Sequence, residues 1–234
     1  MRERPPRWNV HRPGSRITRQ RPAVKGKQCL HGHDAEDIRE QDEVMDSEGT
    51  ATGLHNRLVN LREGFKSIYR TYEKFYGSLR KEGNLPYALT SRGAWAASRP
   101  VHVFHFFRIL GLEQYGKFVD LGSGDGIVAH LAALFTASRG IEADASLCRM
   151  AGRLSRQLNL PHEVRFACED FMHSHLMDAD CLYIYPDKPV HPLEDRLKDW
   201  RGALLIYGPH FKPKRFTPLQ TLQCGRERLV VYGR

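Results

Sequence analysis

The sequence predicts an α/β fold. It is a doubly wound, mostly parallel sheet with a C-terminal β-hairpin, preceded by a long amphipathic helix and a disordered N-terminal tail. Three observations carry this. From residue 117 onward, short apolar runs alternate with stretches of helical periodicity, as in parallel strands joined by crossover helices. The first run leads into glycines at alternate positions, Gly122, Gly124 and Gly126, before a helical pattern begins. The last two strand-like segments flank Gly225 with no helical stretch between them, which reads as a hairpin.

The chain has 234 residues, enough for one α/β domain with extensions, and 41% apolar residues support a real core. We divide it into a tail (1–50), a helical extension with a covering loop (51–96) and a ligand-binding domain (97–234). From Arg2 to Lys27 the tail is rich in Arg and Pro, with Glu3 as its only acid; from Asp34 to Glu48 it is mostly acidic. Neither block has apolar periodicity, so neither offsets the entropy of ordering. The basic arm reads as a dispensable tail or translated upstream sequence, with a nucleic-acid tether or a transit-like leader as the functional alternative. No apolar run approaches membrane-spanning length, and no apolar h-region opens the chain. Five scattered cysteines without a C-x-x-C pair suit reduced, mostly buried thiols, and we expect a cytoplasmic protein with no membrane partner. Of the net charge of +9, residues 51–234 carry +8, which leaves an anionic partner open.

Leu54, Leu58, Leu61, Phe65, Ile68, Tyr72, Phe75 and Leu79 step by three and four, so 54–79 is an amphipathic helix closed by Gly83. Arg62, Lys66, Arg70, Lys74 and Arg80 fill its other face, interleaved with Tyr69, Tyr72 and Tyr76. That face reads as a solvated side, with RNA binding as the alternative. Residues 84–95 hold turn formers and no period, and read as a loop or short helix. Pro100 opens a helix to 110 whose apolar residues cover most of its circumference, so it should be largely buried. Strands follow at 117–121, 140–144, 164–168, 179–185 and 203–207, with helices after the first two and a short one at 192–200. The hairpin strands fall near 218–224 and 228–232.

The glycine turn narrows the ligand. A dinucleotide fingerprint places its third glycine five residues after the first, and Ile127 stands there. Asp120 and Asp125 flank the turn; carboxylates repel a pyrophosphate and suit a cationic, phosphate-free ligand. Asp120, Gly122, Gly124 and Gly126 fill the pattern D-x-G-x-G-x-G, and here the chain resembles the class I S-adenosylmethionine (SAM) dependent methyltransferases. The resemblance covers about 85–234. It implies a seven-stranded sheet with one antiparallel strand near its edge, SAM as cofactor, and methyl transfer as the activity. One departure shows: the link at 209–216 is too short for the family's usual helix, which leaves the strand order at that edge open.

Glycines let a ligand lie on bare backbone, and ligands in such sheets sit at the carboxyl ends of the strands. Glu142 ends the second strand about twenty residues past the turn, where an acid accepts ribose hydroxyls. The resemblance gives Asp120, Gly122, Ser123, Gly124, Gly126 and Glu142 to the cofactor. It also gives Asp170 to the adenine amino group and Phe171 to the ring face. At the end of the fourth strand, Tyr185-Pro186-Asp187 is loosely similar to the fourth motif of class I-fold protein lysine methyltransferases. There Tyr185 can attract a cation and Asp187 can align an amine or accept its proton, so these are the candidate catalytic residues. Tyr87, Ser91, Trp95 and His210 are candidates for the covering segment or the substrate rim. His102 with His105, His173 with His175, and His31 with His33 have ligand-like spacings without a carboxylate or cysteine set, so no metal is expected.

The expectation is therefore a SAM-dependent methyltransferase. A protein lysine is the preferred acceptor and RNA the second. A SAM-fold binding protein without turnover and a dehydrogenase are the readings from other classes.

Overall fold

The computed structural model describes residues 48–90 and 93–234. Residues 1–47 of the expected tail, with its histidine pair, and Ser91 lie outside them, while residues 48–50, assigned to the tail from the sequence, already belong to a helix. The chain opens with α1 (Glu48–Lys81) and a two-stranded antiparallel ribbon, β1 (Tyr87–Thr90) and β2 (Gly93–Ala96). There follow α2 (Pro100–Leu110), β3 (Lys117–Leu121), α3 (Ile127–Ala132), β4 (Ala137–Glu142), α4 (Ala145–Ser155) and β5 (Val164–Cys168). The chain ends with β6 (Cys181–Ile184), α5 (His191–Arg196), β7 (Ala203–Tyr207), β8 (Thr217–Cys224) and β9 (Glu227–Gly233).

The seven strands from β3 onward form one sheet in the order β5-β4-β3-β6-β7-β9-β8. The first five are parallel; β9 runs antiparallel between β7 and β8. The strand order at the C-terminal edge is thereby fixed. The helix-free link at 209–216 is held instead by side chains. Buried Glu194 of α5 accepts the backbone N–H groups of Lys214 (2.8 Å) and Arg215 (2.5 Å), and the Arg215 guanidinium pairs with Asp195 at 2.6 Å. Phe216 then enters the core beside Trp200.

Alternation along the strands builds two cores, as the period of two requires. Phe118, Tyr183, Leu205 and Tyr207 face α1, α2 and α3, where Phe65, Ile68, Tyr72, Phe104 and Phe107 meet them. Val119, Leu121, Leu182, Ile184, Leu204 and Ile206 face the other way, against Leu193, Leu197 and Trp200. The Asp144 carboxylate caps α4 by accepting from Ser146 N (2.8 Å) and Leu147 N (3.0 Å); the Ser146 hydroxyl, which donates to the same oxygen, and then the Leu147 amide hold its pKa below the usual carboxylate value.

Four expectations change. Residues 84–95 hold a ribbon rather than a loop or short helix, because docking on the core rather than an internal pattern sets so short a pair. On α2, Val101 and Ile109 are 52% and 40% exposed, since residues eight apart share one outward stripe. On α1, Tyr72 and Tyr76 are buried and Tyr69 is part-buried, so the alternative of an RNA-binding face loses two of its three tyrosines. The cysteines are mixed: Cys181 and Cys224 are buried, Cys148 is part-buried and Cys168 is exposed, all free thiols.

Candidate functional site

A cleft of about 540 Å³ opens at the carboxyl ends of β3, β4, β6 and β7. Its size suits a cofactor. Trp95, Asp120, Gly122, Ser123, Glu142, Asp170, Phe171, Tyr185, Asp187 and His210 line it. Tyr87, half-exposed at the start of β1, is not among the lining residues, and Gly124 and Gly126 lie behind it.

The turn is pinned to β4, since Gly122 N and Ser123 N both donate to the Ile141 carbonyl at 2.9 Å. Its glycines serve three different ends. Gly122 faces open space. Over Gly124 lies the Trp95 indole: a Cβ there would stand at only 2.6 Å from the indole Nε1. Gly126 packs on Phe166, whose ring would meet a Cβ at 2.6 Å, and its φ of 86° begins α3 in the left-handed region. Bare backbone thus remains at Gly122, while Trp95 covers Gly124. Ser123 is buried, its hydroxyl without a hydrogen-bond partner, 2.7 Å from where a Cβ on Gly140 would stand.

Three carboxylates converge here. Glu142 is half-buried. Its Oε2 accepts from Gly124 N at 2.9 Å and its Oε1 from Asp144 N at 2.8 Å. Each oxygen keeps one lone-pair position for a hydroxyl donor. Asp120 is buried, and its Oδ2 has no hydrogen-bond partner among the described residues. Burial, then the charges of Glu142 and Asp125, push its carboxyl well above the usual range. Asp125 is also buried and raised to about 6, with burial opposed by hydrogen bonds from the Tyr76 hydroxyl and Ile127 N. An unpartnered carboxylate oxygen inside a cleft is a seat for a cation or a donor.

On the far side, Asp170 Oδ1 accepts from Met172 N at 2.8 Å, which closes a turn rather than starting a helix. Arg196 of α5 holds this turn from behind, donating to the Phe171 and Ser174 carbonyls at 2.7 Å each. Sequence reasoning missed Arg196, because nothing in its local pattern ties it to residues 22 and 25 positions earlier. At the mouth, Tyr185 is 49% exposed and lies edge-on to Tyr207 with ring centroids 5.0 Å apart. Gly208 leaves room for that ring, since a Cβ there would stand 3.3 Å from it. Phe211 is a second rim residue that the sequence did not single out. Its φ of 56° is rare for a bulky side chain, and backbone strain of this kind collects at ligand sites.

No family model matches the chain, and no curated protein matches it in sequence. Solved structures match its fold. The crystal structure of an RNA methyltransferase from Salinibacter ruber in complex with S-adenosyl-L-homocysteine superposes with a TM-score of 0.51 at 20% identity. That match covers 59% of this chain and 93% of the other. A methyltransferase from Geobacter sulfurreducens matches with a TM-score of 0.48 at 18% identity, over 59% and 81% of the two chains. Magnesium protoporphyrin IX methyltransferase from Synechocystis with bound SAM matches with a TM-score of 0.45 at 14% identity, over 58% and 77%. The chain shares the fold of the Salinibacter protein.

Proposed function

We propose that this protein is a SAM-dependent methyltransferase whose acceptor is an amine, a lysine side chain of a protein. The observation that supports this best is the cleft itself: the glycine turn, the backbone-oriented Glu142 and the unpartnered Asp120 carboxylate meet in one hollow. That donor set fits a ligand with ribose hydroxyls and positive charge and no phosphate. Bound SAM supplies an activated methyl group on a sulfonium. Glu142 holds the ribose hydroxyls and Asp120 faces the cationic amino acid end. Asp170 and Phe171, fixed by Arg196, take the adenine amino group and ring. At the mouth the Tyr185 ring attracts a cationic amine. Asp187 orients the amine and accepts the proton it must lose to expose its lone pair. The protein's work is alignment and exclusion of water. Residues 97–234 form the cofactor-binding domain, and the preceding helix and ribbon are its extension.

Calorimetry with SAM, S-adenosylhomocysteine and NAD tests the cofactor. The first two bind the wild-type chain and NAD does not. Glu142→Gln keeps the shape of the side chain but turns one acceptor oxygen into an N–H2 that faces a backbone N–H, so it loses charge toward the hydroxyls and one of the bonds from Gly124 or Asp144, and affinity falls about 10- to 100-fold. Wild-type protein that ignores SAM at millimolar dose ends the proposal. For the acceptor, labelled methyl transferred into cell extract should survive RNase and be lost to protease; the reverse makes the acceptor RNA.

A further inference from the structure

Hydrogen bonds between buried groups join α1 to the glycine turn. The Tyr76 hydroxyl donates to Asp125 Oδ2 at 2.6 Å. The Tyr72 hydroxyl lies 2.8 Å from the Asp125 carbonyl and 2.8 Å from His130 Nδ1. A carbonyl can only accept, so the single proton of Tyr72 goes to Asp125. His130 must then donate through Nδ1–H to the phenol oxygen. Its Nε2 carries no proton and has no partner among the described residues, the less costly nitrogen to leave bare. Burial holds this imidazole neutral, its pKa lowered to about 3. Tyr72, Asp125 and His130 are each at most 1% exposed and Tyr76 is 5% exposed, so water does not compete for these bonds.

Asp125 stands between Gly124 (φ 56°) and Gly126 (φ 86°), two residues whose backbone freedom leaves the turn's shape to outside partners. The amide of Gly124 in turn donates to Glu142. A continuous line of contacts runs from α1 through Asp125 and Gly124 to the carboxylate assigned to ribose.

Resting on the reading of the cleft as a SAM site, we propose that α1 is a working part of that site. Tyr76 and Tyr72 are positioning residues that hold the glycine turn, and Glu142 with it, in the cofactor-binding shape. Docking of α1 and binding of cofactor are then reciprocally coupled: the factor by which the docked helix tightens cofactor binding is the factor by which bound cofactor tightens the docking.

Tyr76→Phe tests this, because it deletes the hydroxyl and keeps the ring against Phe75 and Tyr72. S-adenosylhomocysteine should bind it about tenfold more weakly than wild type. In a Glu142→Gln background the same change should cost less than twofold, because the residue acted through is already altered. An affinity within twofold of wild type, or an equal tenfold loss in both backgrounds, overturns the proposal. Amide hydrogen exchange in ligand-free protein tests the same coupling without SAM. Tyr76→Phe should speed exchange of the amides from Gly124 to His130 about tenfold and leave those in the middle of α1 within twofold. Unchanged exchange in the turn overturns the inference even if the wild type binds no SAM, an outcome that by itself ends only the cofactor reading.

Discussion

Asp125 is kept out of water between two left-handed glycines, and that costs stability. Its carboxyl protonates near pH 6 in the fold, against 3.8 for the unfolded group. The folded chain therefore holds this proton more tightly than the unfolded chain. Asp125 favours folding in acid, and that contribution is lost as pH rises from about 4 through 6. At neutral pH the buried charge costs about 3 kcal/mol, at roughly 1.4 kcal/mol per pH unit. Asn has the same shape and can still accept the Tyr76 hydroxyl, while its N–H2 then faces Ile127 N and gives up that longer 3.3 Å bond. Asp125→Asn should therefore stabilise the ligand-free protein at pH 7.5 by about 1–3 kcal/mol, with the gain fading toward pH 4. Urea unfolding at the two pH values measures it. No gain at pH 7.5 would show that the charge is better compensated than the Tyr76 and Ile127 hydrogen bonds allow. A stabilising substitution at a ligand site is the usual mark of a group kept for function.

The β1–β2 ribbon docks on the glycine turn through Trp95, which lies over Gly124. Ala at 124 adds a Cβ that would meet the Trp95 indole Nε1 at 2.6 Å and forces a non-glycine residue to φ 56°. Left-handed strain of about 1–2 kcal/mol and overpacking of about 1–3 kcal/mol add to roughly 2–5 kcal/mol. Trp95→Ala alone empties the space above the turn. Combined with Gly124→Ala it should recover the overpacking share and leave the strain. Thermal unfolding of the single and double variants separates the two shares, and a double variant with no recovery would mean that the ribbon lies elsewhere. The same contact shows what a single sequence displays. The glycine turn, Glu142 and the strand alternation were legible because their cause is local: apolar period, glycine spacing, an acid at a strand end. The ribbon was not, because four-residue strands carry too little pattern to declare themselves. Nor could Glu194, Arg196 or Tyr76 be read as site supports. Each acts on backbone or side chains at least twenty residues away, and only the fold sets those distances.

Across the whole chain, the question is whether a balance of +9 makes a nucleic-acid surface. Net charge counts residues, whereas a polyanion feels unpaired charge on one face. On α1, Lys66 pairs with Glu63, Arg80 with Glu73, and Arg57 with Glu113. Around the sheet, Arg139 pairs with Glu169, Arg165 with Glu163, and Arg215 with Asp195. Exposed pairs of this kind add little stability, but each places a carboxylate where a phosphate would have to sit. Tyr72 and Tyr76 are buried and bonded to the glycine turn, so they cannot stack on bases. Strong RNA binding needs many free cations and released counterions. With these six cations paired and Tyr72 and Tyr76 turned inward, residues 48–234 should bind a single-stranded RNA of about thirty nucleotides only at the non-specific level, with Kd above ~10 µM at physiological salt. Fluorescence anisotropy across a salt series checks it. A submicromolar Kd with a steep salt slope would show that the paired cations rearrange for phosphate, and would move RNA ahead of protein as the methyl acceptor.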